Sequence, residues 1–391
     1  MRDAIGTQLA PSAVSRLERF TASDFRNLGH LTIDVPPGGL VVVGDNGQGK
    51  TNFLEGIGYL HAWRSVRGAR DTDLVRFGAA AFHLTAVCAG SVFHEVRAGF
   101  ERSTKKKRVT MDGVTIARLS DALGAFPSVT VSPRDIEVIN GPPSERRRLV
   151  DVLLALASPR YLGALQDYRA ALVRRNATIR TASRAADAAA RVAAWEGTLA
   201  SAGAVLCTMR AAWVRDAKAR YAELCELLGE RETGALRYRA SVEGSGQGDE
   251  AATRTLLHDA LDRHRANDMR RGSTHVGPHR DDLELRLGGR LLRTFGSAGQ
   301  HRSAALALRL MEGESLRARL HQEPLLLLDD PFAELDRERS RRVLDLLLAR
   351  EGAQVILAVP KSTDIPDPFA HLAKLRMCGG ILTPMTDVGD G

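Results

Sequence analysis

The chain has 391 residues, enough for two compact units, and its 44% hydrophobic and 26% charged content excludes a disordered or fibrous protein. Lysine and arginine number 55 against 47 acidic residues, giving +8 and a pI near 9.6; this favours a polyanionic partner, a signal weakened by the arginine excess that base composition alone also produces. Cys88, Cys207, Cys225 and Cys378 are scattered with no C-x-x-C pair, no apolar run approaches the ~18 residues of a membrane span, and the opening lacks an apolar signal core, so a soluble cytoplasmic protein is expected.

After a lead-in over residues 1–14, the text from Leu17 reads as two strands with a turn at Phe25 to Leu28, then a Pro36-Pro37-Gly38-Gly39 connection. The apolar run Leu40 to Val43 is a buried strand; Gly44, Asp45, Asn46, Gly47, Gln48, Gly49, Lys50 and Thr51 fit G-x-x-x-x-G-K-[ST]; the periodic segment that follows to Trp63 is a helix. Strand, loop and helix in that order are what a phosphate site requires. Glycines let backbone amides curl around phosphate oxygens, the helix N-terminus adds partial positive charge, Lys50 reaches the β and γ phosphates, and Thr51 supplies a magnesium ligand. Phe82 to Cys88, Val92 to Phe100 and Arg108 to Met111 then alternate as antiparallel strands, with Met111-Asp112-Gly113 as a turn.

Beyond Pro143, Ser144 is placed to cap a helix beginning at Glu145, and as far as Arg271 the chain is rich in Ala, Leu and Arg at helical spacing, with Asp249 as a second cap. Sustained heptads are absent, so a compact helical lobe is expected rather than an extended coiled coil. Strand character returns at Asp282 to Leu287 and Arg290 to Phe295 around Gly288-Gly289. Then come Phe295 to Gln300 entering a helix, the apolar run Leu325 to Leu328 ending in Asp329-Asp330, a helix over Arg337 to Arg350, and a strand over Gln354 to Val359. The expected domains are 15–140 and 273–365 as two halves of one α/β unit and 141–272 as a helical insertion, with tails at 1–14 and 366–391.

A carboxylate at the end of an apolar strand lies at the sheet edge beside the phosphate loop, where Asp329 holds magnesium directly or through water; Asp330, one position on, points elsewhere and is placed to polarise an attacking water. Small residues with Ser297 at a helix start make either an anion nest for a γ-phosphate or an ordinary N-cap. Three features stay open. His275, His279, Asp281 and Asp282 have the residue types of a metal site without a second ligand cluster nearby. Lys105 to Arg108 suit DNA phosphate or a solvated hairpin tip, and Arg146 to Arg148 suit DNA phosphate or buried ion pairs. Aromatics are not interleaved with these charges, which favours duplex backbone contact over base stacking.

In this order and around a central insertion, GDNGQGKT, GSAGQ, LLLLDD and Glu334-Leu335-Asp336 resemble ABC-type ATPases of the SMC class. SDFRNL (Ser23 to Leu28), RSVR (Arg64 to Arg67), LVRFG (Leu74 to Gly78), NGPPSERRRLVD, THVGPHRDDL (Thr274 to Leu283) and FGSAGQHRSAALALRL narrow the resemblance to the RecF family of bacterial DNA replication and repair proteins, over about residues 15 to 358. The resemblance implies an α/β fold, a P-loop ABC-type ATPase head with an inserted compact helical second lobe. It implies ATP and Mg2+ as cofactors, and an ATP-dependent homodimer on double-stranded or gapped DNA. Weak hydrolysis then acts as a switch in DNA-damage repair, the SOS response and replication restart, with recombination mediator proteins as partners and no membrane.

By position, Gly44 to Thr51 bind the phosphates and Ser297, Gly299 and Gln300 reach the γ-phosphate held by the other protomer. Thr51 and Asp329 serve magnesium, Asp330 is the catalytic carboxylate where most ABC proteins carry glutamate, and Asp336 lies in the cross-dimer loop. The shorter carboxylate reaches less far, in keeping with slow hydrolysis. Asp135 is the candidate in the magnesium-and-water loop, although Arg134 stands where family members usually carry an acidic residue. Val359-Pro360-Lys361-Ser362 replaces the histidine with which many ABC ATPases sense the γ-phosphate. A transporter's nucleotide subunit and a small-molecule kinase are the competing classes; the helical insertion and the missing histidine speak against the first, and GSAGQ against the second.

Overall fold

The computed structural model describes residues 16–181, 187–333, 335–349 and 352–385. They fall into two compact units, one holding the chain up to Arg134 and again from Glu312, the other comprising Asp135–Met311. Residues 273–311, which the sequence reading joins to the ATPase halves, belong by their contacts to the second unit.

The first unit contains two six-stranded sheets. One is antiparallel, in the order Leu28–Asp34, Arg16–Phe25, Ala81–Ala89, Glu95–Glu101, Lys106–Met111, Val114–Thr115. The other runs Ile381–Pro384, Ala373–Cys378, Gly39–Val43, Val355–Val359, Leu325–Asp329, Ser128–Val131, and only its edge pair Ala373–Cys378 with Ile381–Pro384 is antiparallel. The strand after residue 366 corrects the expectation of a tail: Ala373–Cys378 lies directly beside the phosphate-loop strand. Helix Lys50–Ala62 packs against both sheets and is buried nearly all round, its Glu55 and His61 included. Phe53, Leu54, Ile57, Tyr59 and Leu60 are almost wholly removed from water, each worth about 1.5–3 kcal/mol. Phe82 meets Phe25 and Tyr59 edge-to-face, with centroids 5.2 and 5.4 Å away. The buried Gln354 side chain ties the layers, accepting from Leu17 N–H at 2.8 Å and donating to the carbonyls of Leu17 and Pro36.

In the second unit, helices Pro143–Ala157, Pro159–Thr181, Ala188–Ala193, Glu196–Leu227 and Glu250–Arg271 accompany a three-stranded antiparallel sheet, Arg290–Leu291, Asp282–Leu287, Gly234–Arg239. The last of these strands lies within the stretch read as wholly helical. Residues 188–227 are long and apolar enough for a membrane span by length and composition, contrary to the sequence reading. The helix Glu196–Leu227 is instead a core element, packed on Pro159–Thr181 and Glu250–Arg271.

Local corrections follow from backbone chemistry. Asp249 caps its helix by accepting from Ala252 N–H at 2.7 Å, as expected. Ser144 does not cap; Pro142 takes that place and Pro143 opens the helix, where a missing N–H costs nothing. After Gly288-Gly289 the returning strand is only Arg290–Leu291, and Leu292–Phe295 is a short helix.

Candidate functional site

The phosphate loop leaves strand Gly39–Val43 between two parallel neighbours and enters its helix at Lys50. Lys50 folds back over the loop, its Nζ donating to the carbonyl oxygen of Gly44 and, at 3.0 Å, to that of Asp45. Thr51 Oγ1 donates to Asp329 Oδ1 at 3.1 Å, joining residues 278 positions apart. Burial pushes the Lys50 ammonium down from its usual range, against the pull of Asp329, Asp330 and Asp45. Burial pushes the Asp329 carboxyl up, opposed by the Thr51 hydrogen bond and by Lys50. Both shifts have one cause, a pocket that withholds water from charges of either sign.

Asp330 has φ 46, a left-handed conformation that costs a non-glycine residue about 1 kcal/mol. Its N–H donates to Ala358 O at 2.9 Å, which fixes the turn at the strand's end.

Two anchors of the loop were not legible in the motif. The Gln48 carbonyl accepts from Asn27 Nδ2 at 3.0 Å and from Gly380 N–H at 2.8 Å, while its side-chain Oε1 accepts from Gly379 N–H at 2.8 Å. The turn of the C-terminal hairpin therefore grips the loop's one long uncharged side chain. A Cβ on Gly44 would stand 2.4 Å from Met377 O of the same hairpin, so that glycine is needed for close approach. Asn27 also accepts from Asn52 Nδ2 at 2.8 Å. One turn further along the helix, fully buried Glu55 accepts from Arg26 Nε at 3.0 Å and Nη2 at 3.1 Å, from Ser65 Oγ at 2.5 Å and from Arg67 Nη1 at 3.4 Å. SDFRNL and RSVR carry these partners. The sign available in the sequence for the hairpin was Gly379-Gly380 between two short apolar stretches.

Most of the remaining candidates lie in the second unit. Ser297 precedes helix Ala298–Leu320, its Oγ accepting from Gln300 N–H at 3.2 Å and its own N–H donating to Gln300 Oε1 at 2.9 Å. This reciprocal capping box, with Gly299 inside it, stands on an exposed helix start. Asp135 is buried and accepts from Arg309 Nε at 3.0 Å and Nη2 at 2.7 Å, an ion pair with which any magnesium role there competes. Asp336, in the first unit, caps helix Arg337–Leu348 through Arg339 N–H at 2.8 Å; Glu334 lies outside the described residues.

THVGPHRDDL is a polar lock. Thr274 Oγ1 accepts from the fully buried Arg175, which also pairs with Asp268 at 2.8 Å and Glu196 at 3.0 Å. His279 Nε2 donates to Thr274 O at 3.0 Å, so Nδ1 accepts from Tyr168 O–H at 2.6 Å, and burial holds this neutral imidazole down at about 4. Asp281 accepts from Ser241 N–H and Tyr238 O–H, and Asp282 takes a fork from Arg146 at 2.7 and 3.0 Å. Among the described residues no group of three or more His, Cys, Asp or Glu is arranged for a metal. Arg146 spends its other nitrogen on the carbonyls of Val138, Ile139 and Gly141, and Arg147 donates to Asp281 O. The buried ion-pair reading therefore holds for Arg146, while Arg147 is half-buried and bonds a backbone carbonyl. Lys107 is likewise structural, 2.9 Å from Asp71 and over the Tyr59 ring, while Lys105, Lys106 and Arg108 are exposed.

The family described as RecF/RecN/SMC N terminal domain matches residues 16–365. DNA replication and repair protein RecF of Rhodococcus erythropolis is 34% identical over 96% of this chain and 95% of its own; that of Frankia alni is 35% identical over 94% and 99%. The solved recombination mediator protein RecF with ATP, of the RecFOR pathway, superposes with a TM-score of 0.87 at 28% identity, covering 96% of this chain and 98% of that one. A Smc head domain from Pyrococcus furiosus, at 17% identity and a TM-score of 0.54, shares the fold.

Proposed function

The chain belongs to the RecF family of DNA replication and repair ATPases, and from that premise we propose that it binds ATP at Gly44 to Thr51, dimerises on double-stranded or gapped DNA, and lets go after slow hydrolysis. The observation that carries the reading is the Thr51 to Asp329 hydrogen bond, which joins the loop and the acidic strand end in one water-poor pocket. A hydroxyl beside a buried carboxylate is the donor set of a hard, oxygen-seeking cation, so Thr51 and Asp329 would hold magnesium. When bound, that ion offsets charge on the β and γ oxygens.

The chain's own residues do the rest. Loop amides and Lys50 orient the triphosphate, and Asp330, held in its turn by Ala358 O, polarises a water. Ser297, Gly299 and Gln300 stand on an exposed helix start suited to a γ-phosphate held by a second protomer; opening the capping box releases the amides for it. Neither site is complete in one protomer, which makes nucleotide a switch of assembly. Asp135 is the further magnesium candidate, a weaker assignment than Asp329 because Arg309 already engages it. The RecFOR pathway named for the solved relatives supports recombination mediators as partners; loading of a recombinase and a cytoplasmic place belong to the same proposal.

Lys50→Ala should abolish ATP-dependent dimerisation and stable duplex binding in sedimentation; a variant that dimerises normally with ATP refutes the switch. A second reading, favoured by the short carboxylate at 330, is a scaffold whose hydrolysis is incidental. Asp330→Asn separates the two, because repair left intact by that change favours the scaffold.

A further inference from the structure

LVRFG, Leu74 to Gly78, has no part in the nucleotide site, yet it presents Phe77 at 101% exposure, the most exposed large apolar side chain among the described residues. Its turn is held on both sides. Val75 bridges Phe25, Arg76 N–H donates to Asp24 O at 2.8 Å, and Ala79 N–H closes the turn on Arg76 O at 3.0 Å, with Gly78 at φ 84 as a type II turn needs at its third residue. Ala80 O then accepts from Arg102 N–H at 2.9 Å, and the Arg102 guanidinium returns to Val75 O at 3.0 Å. The ring at the corner of this turn has nothing to pack on, and the backbone behind it has little freedom to hide it.

Its neighbours are cationic. Arg102 opens the hairpin tip that carries exposed Lys105 and Lys106, so the fold sets an aromatic beside the basic run although the linear sequence separates them. Of the nearby acids, Asp24 lies 3.7 Å from Arg76, Asp71 is paired with Lys107, and Glu101 accepts from Ser103 and Thr104; Asp73 is exposed. A protruding apolar side chain flanked by arginine and lysine is the chemistry of proteins that open a base step from the minor groove. A protein partner met through one ring would lack the continuous apolar surface that such interfaces have at their centre, whereas exposed Arg102, Lys105 and Lys106 beside it suit phosphates.

We propose that Phe77 is a wedge for duplex DNA, entering the minor groove and partly unstacking one base step while Arg76, Arg102, Lys105 and Lys106 take phosphates beside it. The inference rests on the DNA-binding reading above and names the contact that reading lacks.

The test uses the full chain with ATP and magnesium, an end-labelled duplex whose bending is read by energy transfer, and a salt series. Wild type bends the duplex. Phe77→Ala binds about tenfold more weakly and no longer bends it, with an unchanged salt slope and unchanged ATP binding; Phe77→Leu retains both binding and bending. Lys105→Ala with Lys106→Ala lowers the salt slope but leaves the bend. Phe77→Ala that binds and bends as wild type does overturns the wedge, as does a variant that loses only a mediator protein. Wild type that binds no duplex in any nucleotide state overturns the DNA-binding reading itself, a different failure.

Discussion

Gly380→Ala measures how far the C-terminal hairpin controls the phosphate loop. Gly380 has φ 85, and a Cβ there would stand 2.4 Å from Asn27 O and 3.1 Å from Asn27 C, both backbone atoms with no rotamer to move. The left-handed conformation costs alanine about 1 kcal/mol, and the forced contact a further ~1–3 kcal/mol. Receding by even a few tenths of an ångström, the turn loosens the bonds from Gly379 and Gly380 to Gln48 and presses on the Asn27 side that supports the same carbonyl. Gly113→Ala is the matched control: φ 79, a hairpin turn, and open space where the Cβ would go. It incurs the conformational cost without the contact. Binding of a fluorescent ATP analogue should weaken about 5- to 100-fold in Gly380→Ala and stay unchanged in Gly113→Ala, while thermal unfolding separates the two by the contact term. Gln48→Ala, losing one exposed hydrogen bond worth ~1 kcal/mol, should fall between them. Equal stability losses in the two glycine variants, with nucleotide affinity intact in both, would refute the grip.

Asp329→Asn should raise the stability of the nucleotide-free protein at neutral pH. A carboxyl whose pKa is raised on folding binds protons more tightly in the native state, so its ionised form destabilises at high pH and the asparagine's advantage shrinks as pH falls; a variant less stable at neutral pH by thermal melting would mean that attraction to Lys50 outweighs burial. The sign is opposite at His279. Held at about 4 against ~6.5 when unfolded, it contributes stability that is whole above pH ~6.5 and is lost as pH falls toward 4, by at most ~3 kcal/mol; urea midpoints across that range should slope in wild type and flatten in His279→Gln, and a flat wild-type profile contradicts the buried neutral imidazole.

What the sequence made legible were the features that one local pattern encodes. The phosphate loop between strand and helix, the antiparallel strands about Met111-Asp112-Gly113 and the Asp249 cap follow from period and turn chemistry, and all stand in the structure. The misses share a cause in long-range partners. Gly379-Gly380 falls in a stretch read as a tail, and only its bond to Gln48, 331 residues earlier, shows what it holds. His279, Asp281 and Asp282 carry metal-ligating residue types, and only the positions of Tyr168, Tyr238 and Arg146 reveal them as a satisfied network. Phe77 looks like any loop phenylalanine until its exposure and the return of Arg102 to Val75 are seen.

These partners bear on why so long an insertion is tolerated. Gln48 is held by Asn27 from the first hairpin and by Gly379 and Gly380 from the last, and Thr51 is joined to Asp329 from a strand beyond the insertion. Every one of these contacts lies inside the first unit, the one that residues 135–311 interrupt. What the inserted unit brings is Ser297 to Gln300, already capped on itself and exposed. In the proposed assembly, a loop built within one unit and a helix start built within the other can each be correct before a second protomer arrives. Nucleotide affinity in the monomer should therefore depend on Gly380 and Asn27, and assembly with a second protomer on Ser297 and Gly299.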